Sequence, residues 1–497
     1  MKQKLQHWLL GLVCAAGLWS SFTLSALASD RLSHSDNRHV LERIGFGVTS
    51  TQLKQVKTNG IEAYIQSQLN PNSIQENKIL EAYLTELDYI YQDPFKLQRQ
   101  FVGINKKLKN SQQLSSIQQE ALNKRKGNLR RTARDRATHV RLARAIYSHR
   151  QLQEVMVDFW FNHFNVFVNK GNIDFWIGDY ENDIRTHALG NFRDLLGVVA
   201  RDPAMLIYLD NQFNTDPTSP QAKGNFKGLN ENYARELMEL HTLGVDGGYS
   251  QDDIIALAKI FTGWTVDYKG NKGDRKGFFF FTKRHDSSDK VFLGHQIKGG
   301  GIEEGERALD ILATHPATAK FISYKLAQYF VSDRPTSQLV DSLAQKFTES
   351  NGNIKTVLNT LIHSSEFQNP KLGQQKFKTP YQYLISLVRM GEIKQANLKR
   401  LQGMLRQLSM PIYMCVPPIG YRNTQDAWLD PQAMLQRINL ATAIANKALD
   451  SNSPIEYKRL LDNIGQLSQH TQQVVDDSNP RNIRTALVLG SPEAMYK

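Results

Sequence analysis

The sequence predicts a mainly α protein: a multi-helical globular body with a basic helical arm and one small β-hairpin. Three observations point there. Residues 151–170, QLQEVMVDFWFNHFNVFVNK, are among the most apolar of the chain, and their pattern is that of a buried helix. Residues 230–264 read as helix, turn, helix, with boundaries written in capping and glycine signals. Only residues 269–301 leave the helical pattern, with strand-like runs at 278–281 and 290–293 expected to form the hairpin.

In chain order, residues 1–28 have the form of an export signal. Lys2 and Lys4 lead it, an apolar run covers 8–18, and Ala26-Leu27-Ala28 is a small-residue cleavage site. Cys14 lacks the preceding small residue of a lipoprotein signal, and no later stretch is long and apolar enough to span a bilayer. The expectation is a periplasmic or extracellular protein starting near Ser29, with a charge of 13 − 2 = +11. Cys415 is then its one cysteine, which excludes an intrachain disulfide and a multi-cysteine metal site. The length leads us to expect two or three subdomains.

Residues 29–71 form the N-terminal helical segment: a short helix, a Gly45-Phe46-Gly47 turn and two further helices. Residues 72–150 make the basic arm. A helix covers 72–91, and a hairpin follows, bent near 111–116 and interrupted at Gly103 and Gly127. Between Lys96 and Arg150 fifteen Lys/Arg face only Glu120 and Asp135, an excess of 15 − 2 = 13. Such a run attracts polyanions, either anionic polysaccharide or a membrane surface, with nucleic acid disfavoured by export. Lys124, Arg125, Lys126, Arg130 and Arg131 are its candidate binding residues. The alternative is a solvated arm with no ligand.

The main helical domain spans 151–460. Its first helix embeds Asp158, Asn162, His163 and Asn165 among aromatics, and each must find a partner, because burying one unpaired costs about 1–3 kcal/mol. Helices are expected near 180–188 and 192–200, and Asp202-Pro203 caps a third that ends at Asp210-Asn211. In the helix from 230, Tyr233, Leu237 and Leu240 share an arc with Leu243 at its edge. Glu236 borders that arc, His241 lies on its far edge, and Arg235 is four residues from both Glu231 and Glu239. Trp264 closes the stretch, and His285 lies between the two strand-like runs. Residues 411–420 read as an irregular surface or gate loop, 430–449 as a last long helix, and 461–497 as a polar tail with a short final helix.

RIGFGVT at 43–49, DFWFNHFNV at 158–166, HALGNFRDLL at 187–196, DPAMLIYLDN at 202–211 and NENYARELMELHTLG at 230–244 together resemble one bacterial family, catalogued as domain of unknown function number 1800. FTGWTV at 261–266, HPATAKFISYKLAQYFVSD at 315–333 and GYRNTQDAWLDPQAMLQRINLA at 420–441 extend the likeness over nearly the whole chain. The resemblance implies a helical exported protein and an exported partner related to the alkaline phosphatase superfamily. It implies no reaction and no cofactor.

Three functions fit the residues. The first is an enzyme of hydrolase or lyase type acting on acidic cell-surface or extracellular polysaccharide. Its catalytic set would be His163, Asp210, Glu236, Arg235, His241 and His285, with Asn162, Asn165, Asn211 and Trp264 binding substrate. In it Glu236 and His163 would work as a pair. The second is a non-catalytic binding or assembly protein for surface polymer or an exported partner. The third is a metal- or haem-dependent enzyme drawing ligands from His163, His187, His241, His285 and Asp210, although neither HExxH nor CxxCH occurs. No GxSxG nucleophile string is present. The discriminating observation is whether His163, Asp210, Glu236 and His285 share one concave pocket.

Overall fold

The helix Gln151–His163 is buried on every side, and this decides the architecture: only Gln153 and Asn162 are partly exposed. A helix of that kind has to be enclosed by others. A second one, Pro380–Met390, has all eleven residues buried, and it starts at a Thr379–Gln382 capping box with proline at its first position. The computed structural model describes residues 37–88, 93–110, 114–226, 228–274, 276–369, 376–450 and 455–497. The expected export signal lies outside them.

Before the enclosed helix come residues 37–44, Ser50–Asn59, Ile61–Leu69 and Lys78–Asp88. Pro94–Lys109 and Ser116–Tyr147 then form the basic hairpin. Gly103 and Gly127 do not interrupt it. Both sit inside helices in open space, where each costs only about 1 kcal/mol against alanine. The 32-residue helix Ser116–Tyr147 begins at a Ser115–Gln118 capping box, and from Ala137 onward it is largely buried. There it packs on Pro380–Met390, Leu398–Gln407 and Ile177–His187, so the arm of 72–150 runs into the body.

The rest of the body is helical too. Phe192–Arg201 packs on Ile302–Thr314, Pro316–Phe330 on Ser337–Glu349, and Pro431–Ala445 on Arg481–Leu489. The C-terminal segment read as a polar tail buries Val475, Val488, Leu489, Ala494 and Met495. Buried side chains from Val40 to Met495 join in one continuous core, where length alone led us to expect two or three. Among the described residues no helix is long and apolar enough to cross a membrane.

Both expected strand runs are present, but each pairs with a strand that was not expected. The runs at 278 and 290 do not pair with each other. β1 (Trp264–Val266) pairs antiparallel with β2 (Phe278–Phe280), and β3 (Lys290–Phe292) with β4 (His295–Ile297). The reason is local. Leu293 and Gly294 both take positive φ, at 48° and 77°, the geometry of a two-residue primed turn that closes β3 on β4. Between β2 and β3, Thr282–Arg284 form a 3₁₀ turn and the buried His285 anchors the chain.

Candidate functional site

The helix Gln151–His163 ends at the best-defined polar cluster. His163 is buried, and its Nε2 lies 3.1 Å from the carbonyl of His241. A carbonyl only accepts, so Nε2 carries the proton and Nδ1 keeps its lone pair. Burial holds the imidazole well below the usual histidine range, and Lys325 and His241 push the same way against the hydrogen bond that opposes them. The ring stacks on Phe159 and lies edge-on to Trp160 and Phe164.

His241 belongs to the helix expected from residue 230, but that helix changes type midway. Glu231–Glu236 is α-helical and Leu237–Thr242 is a π-helix, closed by the Leu243 N–H to Met238 carbonyl bond at 2.8 Å. The wider turn holds positions four apart in line. Tyr233, Leu237 and His241 therefore share the buried face with Ala234, Met238 and Thr242, while Leu240 turns partly outward. His241 is thus in the core rather than at the edge of the apolar arc. Burial pushes its imidazole down to about 3, and its Nε2 has no partner.

Asn162 and Asn165 bind the 411–428 segment. Asn162 donates to the Tyr421 carbonyl and accepts from the Tyr421 N–H, both at 2.8 Å. Asn165 donates to the carbonyls of Cys415 at 3.1 Å and Pro417 at 2.8 Å. Gly420 is required at this junction, since a Cβ there would lie 2.2 Å from the Asn162 carbonyl oxygen and its φ is 77°. The loop read as a gate is pinned at several points.

Most of the other candidates have their own partners. Asp210, with φ at 61°, accepts from Lys170 at 2.8 Å. Asn211 is fully buried and donates to the Phe261 and Trp264 carbonyls at 3.3 and 3.1 Å. Arg235 reaches Glu231 at 3.7 Å and Glu239 at 3.5 Å, the pairs its spacing predicts. Glu236 is half-exposed beside them. Burial pushes its carboxyl up, Glu239 adds to the rise and Arg235 opposes it. Among the described residues no hydrogen bond joins His163, whose Nε2 meets a backbone carbonyl, to Glu236. His285 is buried elsewhere, with Nε2 2.9 Å from Glu304 and Nδ1 3.0 Å from the Thr262 carbonyl. Glu304 also accepts from Lys290 at 2.6 Å. Trp264 is fully buried between Phe261 and Phe278 and against Gly305.

The structure therefore brings together His163 with His241, and Asn162 and Asn165 with the 411–428 loop. The cleft that His163 lines includes none of Asp210, Glu236 or His285 in its walls. Among the described residues no three His, Cys, Asp or Glu side chains are placed to hold a metal ion, and His187 Nδ1 faces the Asp183 carbonyl at 2.8 Å.

On the hairpin the five candidate cations divide. Arg130 is committed to Asp174 at 2.6 Å and to the Gly171 carbonyl at 3.0 Å. The Lys126 ammonium lies 5.0 Å from the centre of the Phe101 ring. Lys124, Arg125 and Arg131 are exposed, and Arg131 bonds Asn128 of its own helix. Arg99, Lys106, Lys107 and Lys109 on the first helix are exposed as well.

Two features escaped the sequence reading. One is a buried charge network. Arg141 meets Asp158 at 2.7 Å and Glu181 at 3.0 Å, and Arg185 meets Glu154 at 2.9 Å and Glu181 at 2.8 Å. Tyr329 and Tyr413 donate to Asp158 and Glu181. Asp158, an acid inside an apolar helix, was the visible half of it. The other is Lys325, which sits three residues after buried Ile322 and four before buried Tyr329, at the margin of an apolar arc.

A mainly helical body around two enclosed helices, with a buried Arg–carboxylate network and a basic hairpin, defines the structural class. Residues 39–496 match the model of the family described as "Protein of unknown function (DUF1800)", and the chain belongs to that family. No curated protein and no solved structure matches it.

Proposed function

We propose that the protein is an exported binding protein that holds an acidic polysaccharide on its basic helical hairpin. The observation that carries this reading is a field of exposed, unneutralised charge. Among the described residues Arg99, Lys106, Lys107, Lys109, Lys124, Arg125 and Arg131 have no carboxylate partner. The sixteen residues of Pro94–Lys109 span about 24 Å at 1.5 Å per residue, enough to follow several charges along a chain.

A polymer suits this surface better than a membrane does. An interfacial helix needs an exposed apolar face, but Leu97, Phe101 and Ile104 of this hairpin are buried in the body. Only Val102 and Ile117 remain outside as large apolar side chains on the two helices. Attraction there is electrostatic, so it is screened within about 8 Å at physiological ionic strength. Assembly of polymer also needs no convergent catalytic group; His163, Asp210 and His285 have separate partners, and Glu236 does not line the cleft that His163 lines.

The test is affinity for alginate or heparin as a function of salt, beside anionic vesicles. The expected result is polysaccharide binding that weakens steeply with salt, and loss of at least about tenfold in affinity when Lys106, Lys107, Lys124 and Arg125 are changed together to Gln. Salt-independent binding, or preference for vesicles, overturns the reading.

A further inference from the structure

Beneath the 419–426 segment lies an open cleft of about 570 Å³, between the end of Gln151–His163 and the helix Pro316–Phe330. That volume falls in the range of small-molecule sites. One wall is fixed by the two Asn162–Tyr421 hydrogen bonds, so the cleft is a built feature.

Its charges are unbalanced. Asp333 is consumed by Lys376 at 2.6 Å and by the Gln425 N–H at 2.7 Å, and Asp426 faces Arg422 at 3.5 Å. Lys325, half-buried in the cleft, has no carboxylate partner among the described residues, and neither has Arg334 at the rim. Desolvation already works against the Lys325 charge, lowering its affinity for a proton. A cation kept out of water without a counter-ion is a standing cost that an incoming anion removes. His163 lines the same cleft, and with Nε2 bonded to the His241 carbonyl its Nδ1 is the ring atom left as a neutral acceptor. Tyr324 adds a partly exposed aromatic surface on the same wall.

We propose that this cleft is a binding site for a hydroxylated carboxylate, such as a single uronic acid, with its carboxylate on Lys325 and Arg334 and a hydroxyl on His163. One half-buried cation and one rim cation fit a monoanion. The site is separate from the hairpin surface and stands or falls independently of it.

The experiment is titration of the full chain with glucuronate, with glucose and inorganic sulfate as controls, read by calorimetry and by the shift in melting temperature. Glucuronate should bind and raise the melting temperature, as any ligand of the native state does, while glucose should do neither. Lys325→Met should lose at least about tenfold in glucuronate affinity, and should not lower the melting temperature of the free protein, since it removes a desolvated charge with no carboxylate partner, and methionine can still pack on the Phe321 ring that the ammonium lies over at 5.9 Å. Arg334→Gln, on the exposed rim, should weaken binding without touching the fold. The proposal is overturned if glucuronate does not bind, if sulfate binds as tightly, or if Lys325→Met binds it unchanged.

Discussion

The two halves of the helix Ser116–Tyr147 carry the same residue types to opposite ends. In the first half Lys124, Arg125 and Arg131 point to water with no carboxylate in reach. In the second half Arg141, 7% exposed, sits between Asp158 and Glu181 with its guanidinium 4.9 Å from the centre of the Phe161 ring. Counting charges along 96–150 treats these halves alike. Arg130 and Arg141 make ion pairs with the body, and Arg136 and Arg150 pair with Asp88 and Glu76 ahead of the hairpin, so much of the apparent excess is internal structure. What is left for a ligand is the smaller, outward share. Charge in a sequence becomes binding surface only where the fold supplies no partner.

The sharpest way to break this contrast is to remove Arg141. Arg141→Met leaves Asp158 and Glu181 buried with one cation fewer, and the expected loss is about 3–5 kcal/mol in denaturant unfolding. Acid stability should change as well. Burial alone would raise the Glu181 carboxyl, but Arg141 and Arg185, helped by the Tyr413 hydrogen bond, hold it below the usual range. A depressed folded value means that the stabilisation is present above the unfolded value and lost as pH falls through the folded one. Without Arg141 the carboxyl titrates higher, so acid unfolding should begin at higher pH than in the parent, as followed by circular dichroism. A variant as stable as the parent would mean that the network is not holding the two helices together.

A smaller break tests burial without charge. A Cβ on Gly305 would stand 2.2 Å from Trp264 Cζ2, so the glycine exists to seat the indole. Gly305→Ala should cost about 1–3 kcal/mol through overpacking. An unchanged melting temperature would show that the indole can move, and would return Trp264 to the candidates for ligand contact.

Much of this molecule was legible from its residues. The enclosed helix at 151, the capped helices from 192, 203, 251 and 431, and the Arg235 ion pairs follow from periodicity, caps and spacing, which are local. Asp158 could be seen to need a partner, but that the partner is Arg141 depends on how two helices cross, which spacing does not encode. The phase of His241 was misplaced because a π turn leaves no composition signature. Lys325 was passed over because a lysine beside an apolar arc usually reaches water along its stem. The pairing of β3 with β4 was set by Leu293-Gly294, a primed turn whose first residue is not one of the usual turn formers.

At the boundary between the two halves, Lys126 should behave as an intermediate case. Its stem is half-buried and its ammonium lies over Phe101, which packs in turn on Phe175. Lys126→Ala should cost about 0.5–1 kcal/mol, the worth of a partly exposed cation–π contact. Lys126→Arg should retain most of it. A null result would assign Lys126 to the solvated half and enlarge the surface open to a ligand.

The smallest stability effect, and the most informative for function, belongs to the outward residues. Lys124→Gln, Arg125→Gln and Arg131→Gln together remove three charges from one exposed face, and they break no ion pair with the body. Such changes are normally worth less than about 0.5 kcal/mol each. Removing mutual repulsion among like charges on one helix should offset part of even that. The melting temperature should therefore stay near the parent value, while the slope of log affinity for alginate against log salt becomes shallower by the counter-ions no longer released. If stability drops instead, those cations have partners that the fold does not reveal, and the distinction between the two halves of the helix disappears. If both stability and slope are unchanged, the polymer contacts the first helix alone, through Arg99, Lys106, Lys107 and Lys109.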